Sequence, residues 1–402
     1  MPVTVPLVRA GAVVMPMSVP AGSVGVGVSG NAYVFDTIDD FFSLDIPARL
    51  GMSVLSTPRV VASRFAGMHY HARRPTVSYA LARNVDLQGC MWWAIAGAGR
   101  GLYDWTALDA YVGDAAAGGR DIIFNFAGTP TWASARPGEP GHYAAGSDAE
   151  PADVADLGAF ATAVCARYVA RGTPITAFEI GNEPKFAGGG GVAQGNYFTG
   201  QPQALAAMAR AIHQAVKAQD PRALLLSPSP TGLEFPWVPG DTSGTDHLDR
   251  FLAADDGGGG GGLGRDWVDA IAFHAYSHDG TNNVFAIPQM VANVRRCMAL
   301  HDLADRPIWI TETSAITPAL DTFVVQHQQD YIARTLLLAL GCGVERVVWY
   351  AWDDPLGFAA QPAVAARWDA LVAQLAGATL SMVNILAARR VAAVVDNVRV
   401  LV

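Results

Sequence analysis

From Phe65 to Leu375 the chain alternates short apolar runs with longer helical patterns, and no other feature constrains its fold so tightly. Eight runs read as strands: Phe65–Tyr70, Ser78–Val85, Asp121–Ala127, Ile175–Gly181, Ala223–Ser227, Val268–Ala275, Ile308–Thr311 and Arg346–Ala351. The helical patterns cover Trp105–Ala117, Asp153–Arg171, Gln203–Ala218, Thr245–Ala254, Pro288–Asp302, Asp321–Leu340 and Ala363–Leu375. Asp153 and Asp321 suit N-caps, and Pro202, Pro288 and Pro362 suit first helical turns. Only the first pair of strands lacks a helix between them. Eight strands with helical crossovers predict an α/β fold, a (β/α)8 TIM barrel whose working face lies at the C-terminal strand ends.

The barrel is expected over residues 61–378. Residues 1–60, rich in Val, Gly and Pro, read as an N-terminal strand and loop extension packing on the barrel. Residues 379–402 read as a short C-terminal β tail of a strand or two, and Gly257–Gly262 as a mobile loop. At 402 residues, 51% of them hydrophobic, the chain can bury one large core. A charged fraction of 16% and a net charge of −9 argue against a nucleic-acid binder, which would cluster Lys and Arg. No apolar run is long enough to span a membrane. No signal peptide is evident, although a secreted or periplasmic setting is the expectation. The four cysteines, Cys90, Cys165, Cys297 and Cys342, lie far apart without a CxxC pair and read as scattered buried thiols.

Two carboxylates stand at strand ends. Glu183 follows Asn182 after the fourth strand, and Glu312 closes the seventh. Such a pair is the equipment for cleaving a glycosidic bond with retention. Glu183 would be the acid/base and needs surroundings that keep its proton near neutral pH. Asn182 would hydrogen-bond the hydroxyl beside the reacting carbon. Glu312 would attack the anomeric carbon, with Tyr276 orienting it and His274 on the same face of the sixth strand. Arg83 would keep the nucleophile ionised, and Glu179 would pair with Arg83. His69 and His71 end the first strand with matching parity. No third ligand is evident, so sugar hydrogen bonding is expected there rather than a metal. Trp132, Trp349 and Trp352, with Trp92 and Trp93, are candidate stacking platforms for sugar rings.

Taken together, these pieces resemble clan A of the glycoside hydrolases, and most closely family 39 and its bacterial relatives. The matching segments are Gly67-Met68-His69-Tyr70-His71, Arg83 with Asp86, Gly101-Leu-Tyr-Asp-Trp105, Thr129-Pro-Thr-Trp-Ala-Ser134, Glu179-Ile-Gly-Asn-Glu-Pro184, Phe273-His-Ala-Tyr276, Thr311-Glu312 and Trp349-Tyr-Ala-Trp352. The resemblance implies Glu183 as acid/base, Glu312 as nucleophile and net retention without a cofactor. Members include β-xylosidases, α-L-iduronidases and hydrolases of bacterial exopolysaccharides. Many relatives carry a β-sandwich that the short tail here cannot supply. The expected substrate is a β-linked oligo- or polysaccharide, of exopolysaccharide or xylan type. Transglycosylation and non-catalytic glycan binding are the competing readings.

Overall fold

The computed structural model describes residues 52–55, 57–186, 196–234, 236–241, 243–276, 284–314, 321–353, 357–386 and 390–402, together with the backbone of four strands before residue 36. Eight parallel strands form the barrel: β1 (Ala66–His69), β2 (Leu81–Arg83), β3 (Asp121–Asn125), β4 (Ala177–Glu179), β5 (Leu224–Leu226), β6 (Ile271–His274), β7 (Ile308–Thr313) and β8 (Arg346–Trp349). They neighbour one another in chain order, and β8 pairs with β1. The ring closes between β5 and β6 through a parallel bridge from Leu226 to Ala270, with Ser227 N donating to Ala270 O at 3.0 Å.

Among the described residues seven longer helices surround it, besides a single turn at Trp92–Ile95: α1 (Thr106–Ala117), α2 (Val154–Ala170), α3 (Pro202–Gln219), α4 (Gly244–Leu252), α5 (Ile287–Leu300), α6 (Asp321–Gly341) and α7 (Pro362–Leu375). The connection from β1 to β2 contains no helix. Asp153 caps α2 by accepting from Ala155 N, and Pro202, Pro288 and Pro362 occupy first turns. α6 is described over Asp321–Gly341, and the residues just before it, against which the Asp321 N-cap would be judged, lie outside the described residues.

Alternation along each strand divides the barrel into two apolar layers. Leu81, Ile123, Ala177, Leu226, Ala270, Ala272, Trp309 and Val348 cluster along the axis. Their neighbours Ala82, Phe124, Phe178, Phe273, Ile310 and Val347 join the larger core beneath the helices. Burying each large apolar side chain stabilises the fold by about 1.5–3 kcal/mol. Gly67 belongs to the crowded axis, because a β-carbon there would meet Val348 Cγ2 at 2.8 Å.

At the C-terminal end the chain forms an antiparallel meander of β9 (Thr379–Leu386), β10 (Arg390–Val395) and β11 (Val398–Leu401). That is three strands, more than the one or two expected, because Asp396 and Asn397 both take positive φ and close a tight hairpin. Met52–Ser53 and Arg59–Val60 pair with β9, so the stretch before the barrel and the tail share one sheet. Residues 3–9 pair with 12–19, and 24–28 with 31–35, as antiparallel hairpins. The packing of this extension on the barrel lies outside the described residues. Gly257–Gly262 precedes β6 and therefore lies at the face opposite the strand C-termini. It is closed by an antiparallel bridge between Asp255 and Leu263, and Trp267 Nε1 donates to Asp256 at 2.9 Å.

Candidate active site

Above the apolar axis lies a polar layer, two residues further along each strand. Leu81 is followed by Arg83, Ile123 by Asn125, Ala177 by Glu179, Ala272 by His274 and Trp309 by Thr311. These five are fully buried. Such a layer survives only where its charges are paired and its donors satisfied.

Arg83 organises it. Its Nε donates to Glu179 at 2.7 Å, Nη1 to Glu312 at 2.8 Å and Nη2 to Asn182 at 2.8 Å. Glu179 also accepts from Thr311 at 2.6 Å and Asn125 at 2.7 Å. Burial opposes the Arg83 charge, but Glu179 and Glu312 outweigh it and hold the guanidinium above its ordinary pKa. Burial likewise pushes Glu179 up. The Arg83 charge, the His274 charge and the two side-chain donors prevail, and the carboxyl ends below its ordinary value.

Glu312 reaches the mouth through an irregularity in β7. Phe273 pairs with Ile310, yet the next residue, His274, pairs with Glu312; on the other side Ile310 and Thr313 face Val347 and Trp349. One extra residue is therefore accommodated at Thr311–Glu312. Strict alternation from Trp309 and Thr311 would turn Glu312 toward the helices, and the bulge re-aims it inward. Tyr276 donates to Glu312 Oε1 at 2.8 Å.

Glu183 sits just past β4 with φ +38°, a left-handed conformation uncommon outside glycine. Its Oε1 lies 2.7 Å from His274 Nδ1, which is also 3.8 Å from Glu312 Oε2. Carboxylate oxygens of Glu183 and Glu312 approach within 4.8 Å of each other. Burial raises both groups. At Glu312 it prevails over the charges of His274 and Arg83, leaving that carboxyl above its ordinary value. At Glu183 the hydrogen bond and charge of His274, with Lys185 and Arg83, outweigh it and leave the carboxyl lowered.

His69 lies under the same mouth, wholly buried, with neither ring nitrogen hydrogen-bonded. Burial and the neighbouring Arg83 hold it well below the usual histidine pKa. The ring packs 4.9 Å from that of His71 and 4.6 Å from that of Tyr350. His71 Nε2 is 3.0 Å from Tyr350 Oη, and its Nδ1 is 3.3 Å from Asp353.

The tryptophans do not join this cluster. Trp349 alternates with the axial Val348 and so points outward, 1% exposed, against Tyr331, Phe358 and Trp368. Trp352 is also buried in the helical core. Trp132 donates its Nε1 to Ala96 O at 2.6 Å and lies beneath Arg100. Trp92 stacks on Phe160 in the core. Trp93 stacks on Tyr143 of the mouth at 6.1 Å, and the Trp352 backbone N–H donates to His69 O at 2.8 Å.

Sequence reasoning missed Tyr143, Tyr197 and Asp86 as a group. Tyr143 donates to Asp86 at 2.7 Å, and Tyr197 stacks on His142 at 3.9 Å. Burial raises the Tyr197 hydroxyl, and the charges of Glu183, Asp86 and Glu312 raise it further; its ring lies 6.2 Å from that of Tyr143. Both tyrosines come from long loops after β3 and β4, where strand parity carries no information. The cysteines form no disulfide: Cys90, Cys165 and Cys297 are buried free thiols, and Cys342 is partly exposed. Among the described residues, no helix is long and apolar enough to cross a membrane.

No protein-family model matches the chain, and no curated protein matches it in sequence. Solved structures do share its fold. A glucosidase from Croceicoccus marinus aligns with a TM-score of 0.58 at 14% identity, covering 85% of this chain and 76% of its own. A family 5 subfamily 18 protein from Streptomyces cattleya, solved with GlcNAc, aligns at 0.54 and 14% identity, covering 78% and 80%. A family 30 subfamily 8 xylanase from Clostridium acetobutylicum aligns at 0.53 and 14% identity, covering 85% and 81%. At these identities the likeness is one of fold: the chain is a (β/α)8 barrel of the architecture that these clan A glycoside hydrolases share.

Proposed function

We propose that the protein is a retaining glycoside hydrolase acting on a β-linked glycan, with Glu183 as acid/base and Glu312 as nucleophile. The observation that carries this reading is the approach of two strand-end carboxylates within 4.8 Å, each with different partners. Double displacement uses carboxyl groups roughly 5–5.5 Å apart, whereas direct inversion needs roughly 6.5–9.5 Å to seat a water between acid and base. The spacing supports the first route. Glu183 protonates the leaving oxygen while Glu312 attacks the anomeric carbon. Glu183 then takes a proton from water, which releases the sugar from Glu312 with its configuration retained.

The roles need Glu183 protonated and Glu312 charged; a neutral His274 favours the first, and the second rests on the hydrogen bonds from Arg83 and Tyr276. With its proton on Nδ1, His274 donates to Glu183 Oε1 and leaves Oε2 to carry the acid proton. His274 Nε2 is buried without a partner, so the bare nitrogen of this tautomer wastes no donor. The His274 share of the charge that lowers Glu183 then disappears, leaving that of Lys185 and Arg83, while Arg83 and Tyr276 continue to donate to the Glu312 carboxylate. Asn182, oriented by Arg83, faces the position of the sugar hydroxyl beside the reacting carbon.

The glycosidase folds of the structural relatives support the reaction class, and the order of motifs along the chain supports kinship with family 39. An exopolysaccharide or a xylan-type chain is the substrate we infer. The test is reducing-sugar release from a panel of polysaccharides and aryl β-glycosides, with the anomer of the first product read by NMR. Turnover with retention, lost in Glu312→Gln, is expected. Inverted product or an active Glu312→Gln enzyme would overturn the mechanism. Glycan binding with no turnover would make the barrel a binding protein.

A further inference from the structure

We propose that His69, His71 and Asp86 form a site for a divalent transition-metal ion of the zinc type, beside the carboxylate pair. His69 and His71 leave the end of β1, and Asp86 follows β2. One donor atom from each comes within 4.8 Å of the others. Spacing along the chain offers only the two histidines; the barrel's parallel pairing of His69 with Arg83 brings the carboxylate beside them. Two imidazoles and a carboxylate are a common donor set for zinc, with bonds of about 2.0–2.2 Å.

A second observation points independently to a ligand. His69 is completely buried, and both of its ring nitrogens lack a hydrogen-bond partner. An imidazole in that condition loses the hydrogen bonds it made to water, a cost that a bound ion removes. The surroundings have the form of an outer shell. Asp353 accepts the backbone N–H groups of His71, Ala72 and Arg73 at 2.7–2.8 Å and lies 3.3 Å from His71 Nδ1. That carboxylate favours the proton on Nδ1, so that Nε2 would exchange the Tyr350 hydroxyl for an ion, as metal-binding histidines with a carboxylate on the far nitrogen do. Nε2 faces Tyr350 Oη at 3.0 Å, which is itself 3.4 Å from Asp86 Oδ2. The hydroxyl thus joins the two donors and can move aside or become a fourth ligand. Tyr143 fixes the other oxygen of Asp86 at 2.7 Å. Among the described residues no Lys or Arg makes an ion pair with Asp86, although its charge also acts on Arg83.

A second group, Asp249 on α4 with Cys297 and His301 on α5, also brings three donors within 4.8 Å. There the His301 ring already spends Nε2 on Asp249 at 2.8 Å. It serves as the control.

The experiment strips the purified protein with chelator and titrates it with zinc, manganese or calcium chloride by calorimetry. Bound metal is counted by mass spectrometry, and thermal unfolding is followed with and without the ion. Wild type is expected to bind one equivalent of zinc and to unfold several degrees higher. Asp86→Asn and His69→Ala should weaken binding at least tenfold and abolish the thermal shift, while His301→Ala leaves both unchanged. Circular dichroism establishes that each variant is folded, and Asp86→Asn, nearly isosteric and partly exposed, keeps the test open if His69→Ala does not fold. Stoichiometric binding that survives Asp86→Asn, binding lost in His301→Ala, or no zinc bound by wild type would each overturn the assignment. None of these readouts depends on glycosidase activity.

Discussion

His274 Nδ1 lies 2.7 Å from Glu183 Oε1, so one imidazole governs whether that acid keeps its proton. The hydrogen bond lowers the Glu183 pKa, against the effect of burial. In His274→Ala the lowering is lost and Glu183 rises. A general acid works while protonated, so the basic limb of kcat/KM should move to higher pH. One lost charge-assisted hydrogen bond, about 1.5–3 kcal/mol, predicts a fall in kcat/KM of roughly 10- to 150-fold. A basic limb that stayed in place or moved down would remove Glu183 as the acid.

Tyr276 and Glu312 share a 2.8 Å hydrogen bond that holds the carboxylate in one geometry. Tyr276→Phe should lower kcat by roughly 10- to 150-fold on the same energetic basis, with little change in KM. A large rise in KM at constant kcat would mean instead that the hydroxyl binds substrate.

Arg83 and Glu179 bury an ion pair in the barrel axis with no exposed atoms. Arg83→Met leaves Glu179 charged and unpaired, and should cost about 3–5 kcal/mol of stability, read by denaturant unfolding. The same pair gives a pH signature. Glu179 has a lowered pKa in the folded state, so it contributes stability above its unfolded value near 4.3, and that contribution is lost as pH falls through the lower folded value. Stability should therefore drop less steeply with acid in Glu179→Gln than in wild type. An equal or steeper drop in the variant would contradict the assignment.

Trp349 and Tyr197 separate core from substrate contact. Trp349→Ala should destabilise the barrel by about 3–5 kcal/mol, because it empties a site packed by Trp368 and Phe358. At a temperature where it remains folded, its KM should match wild type. Tyr197→Ala should do the reverse, raising KM several-fold with a change in stability below about 1 kcal/mol. The opposite pattern would restore Trp349 as a sugar platform.

Much of this barrel was legible in the sequence because its signals are local. Apolar runs of strand length, helical periodicity, Asp153 and the first-turn prolines each depend on neighbours within a few residues, and the resulting strand ends put Glu183 and Glu312 at one face. Parity alone also aligned Arg83, Glu179 and His274, since side chains two residues apart share a side of a strand. Parity could not decide which side that was. Trp349 looks from its position like a rim residue, but the closed ring puts Val348 on the axis and turns Trp349 outward.

The remaining decisions belonged to tertiary structure. A bulge in β7 depends on how β6 and β8 pair with it, and it reverses the direction that alternation assigns to Glu312. Tyr143 and Tyr197 reach the mouth on loops whose paths no periodicity records. Asp86 meets His69 and His71 only because β1 and β2 lie side by side, which brings together donors fifteen or more positions apart in the chain. The sequence by itself determined the kind of barrel and the reactive residue types at its open end. Only the folded chain decided their partners, because a hydrogen bond or a charge pair depends on distance through space and local propensity reaches only along the backbone.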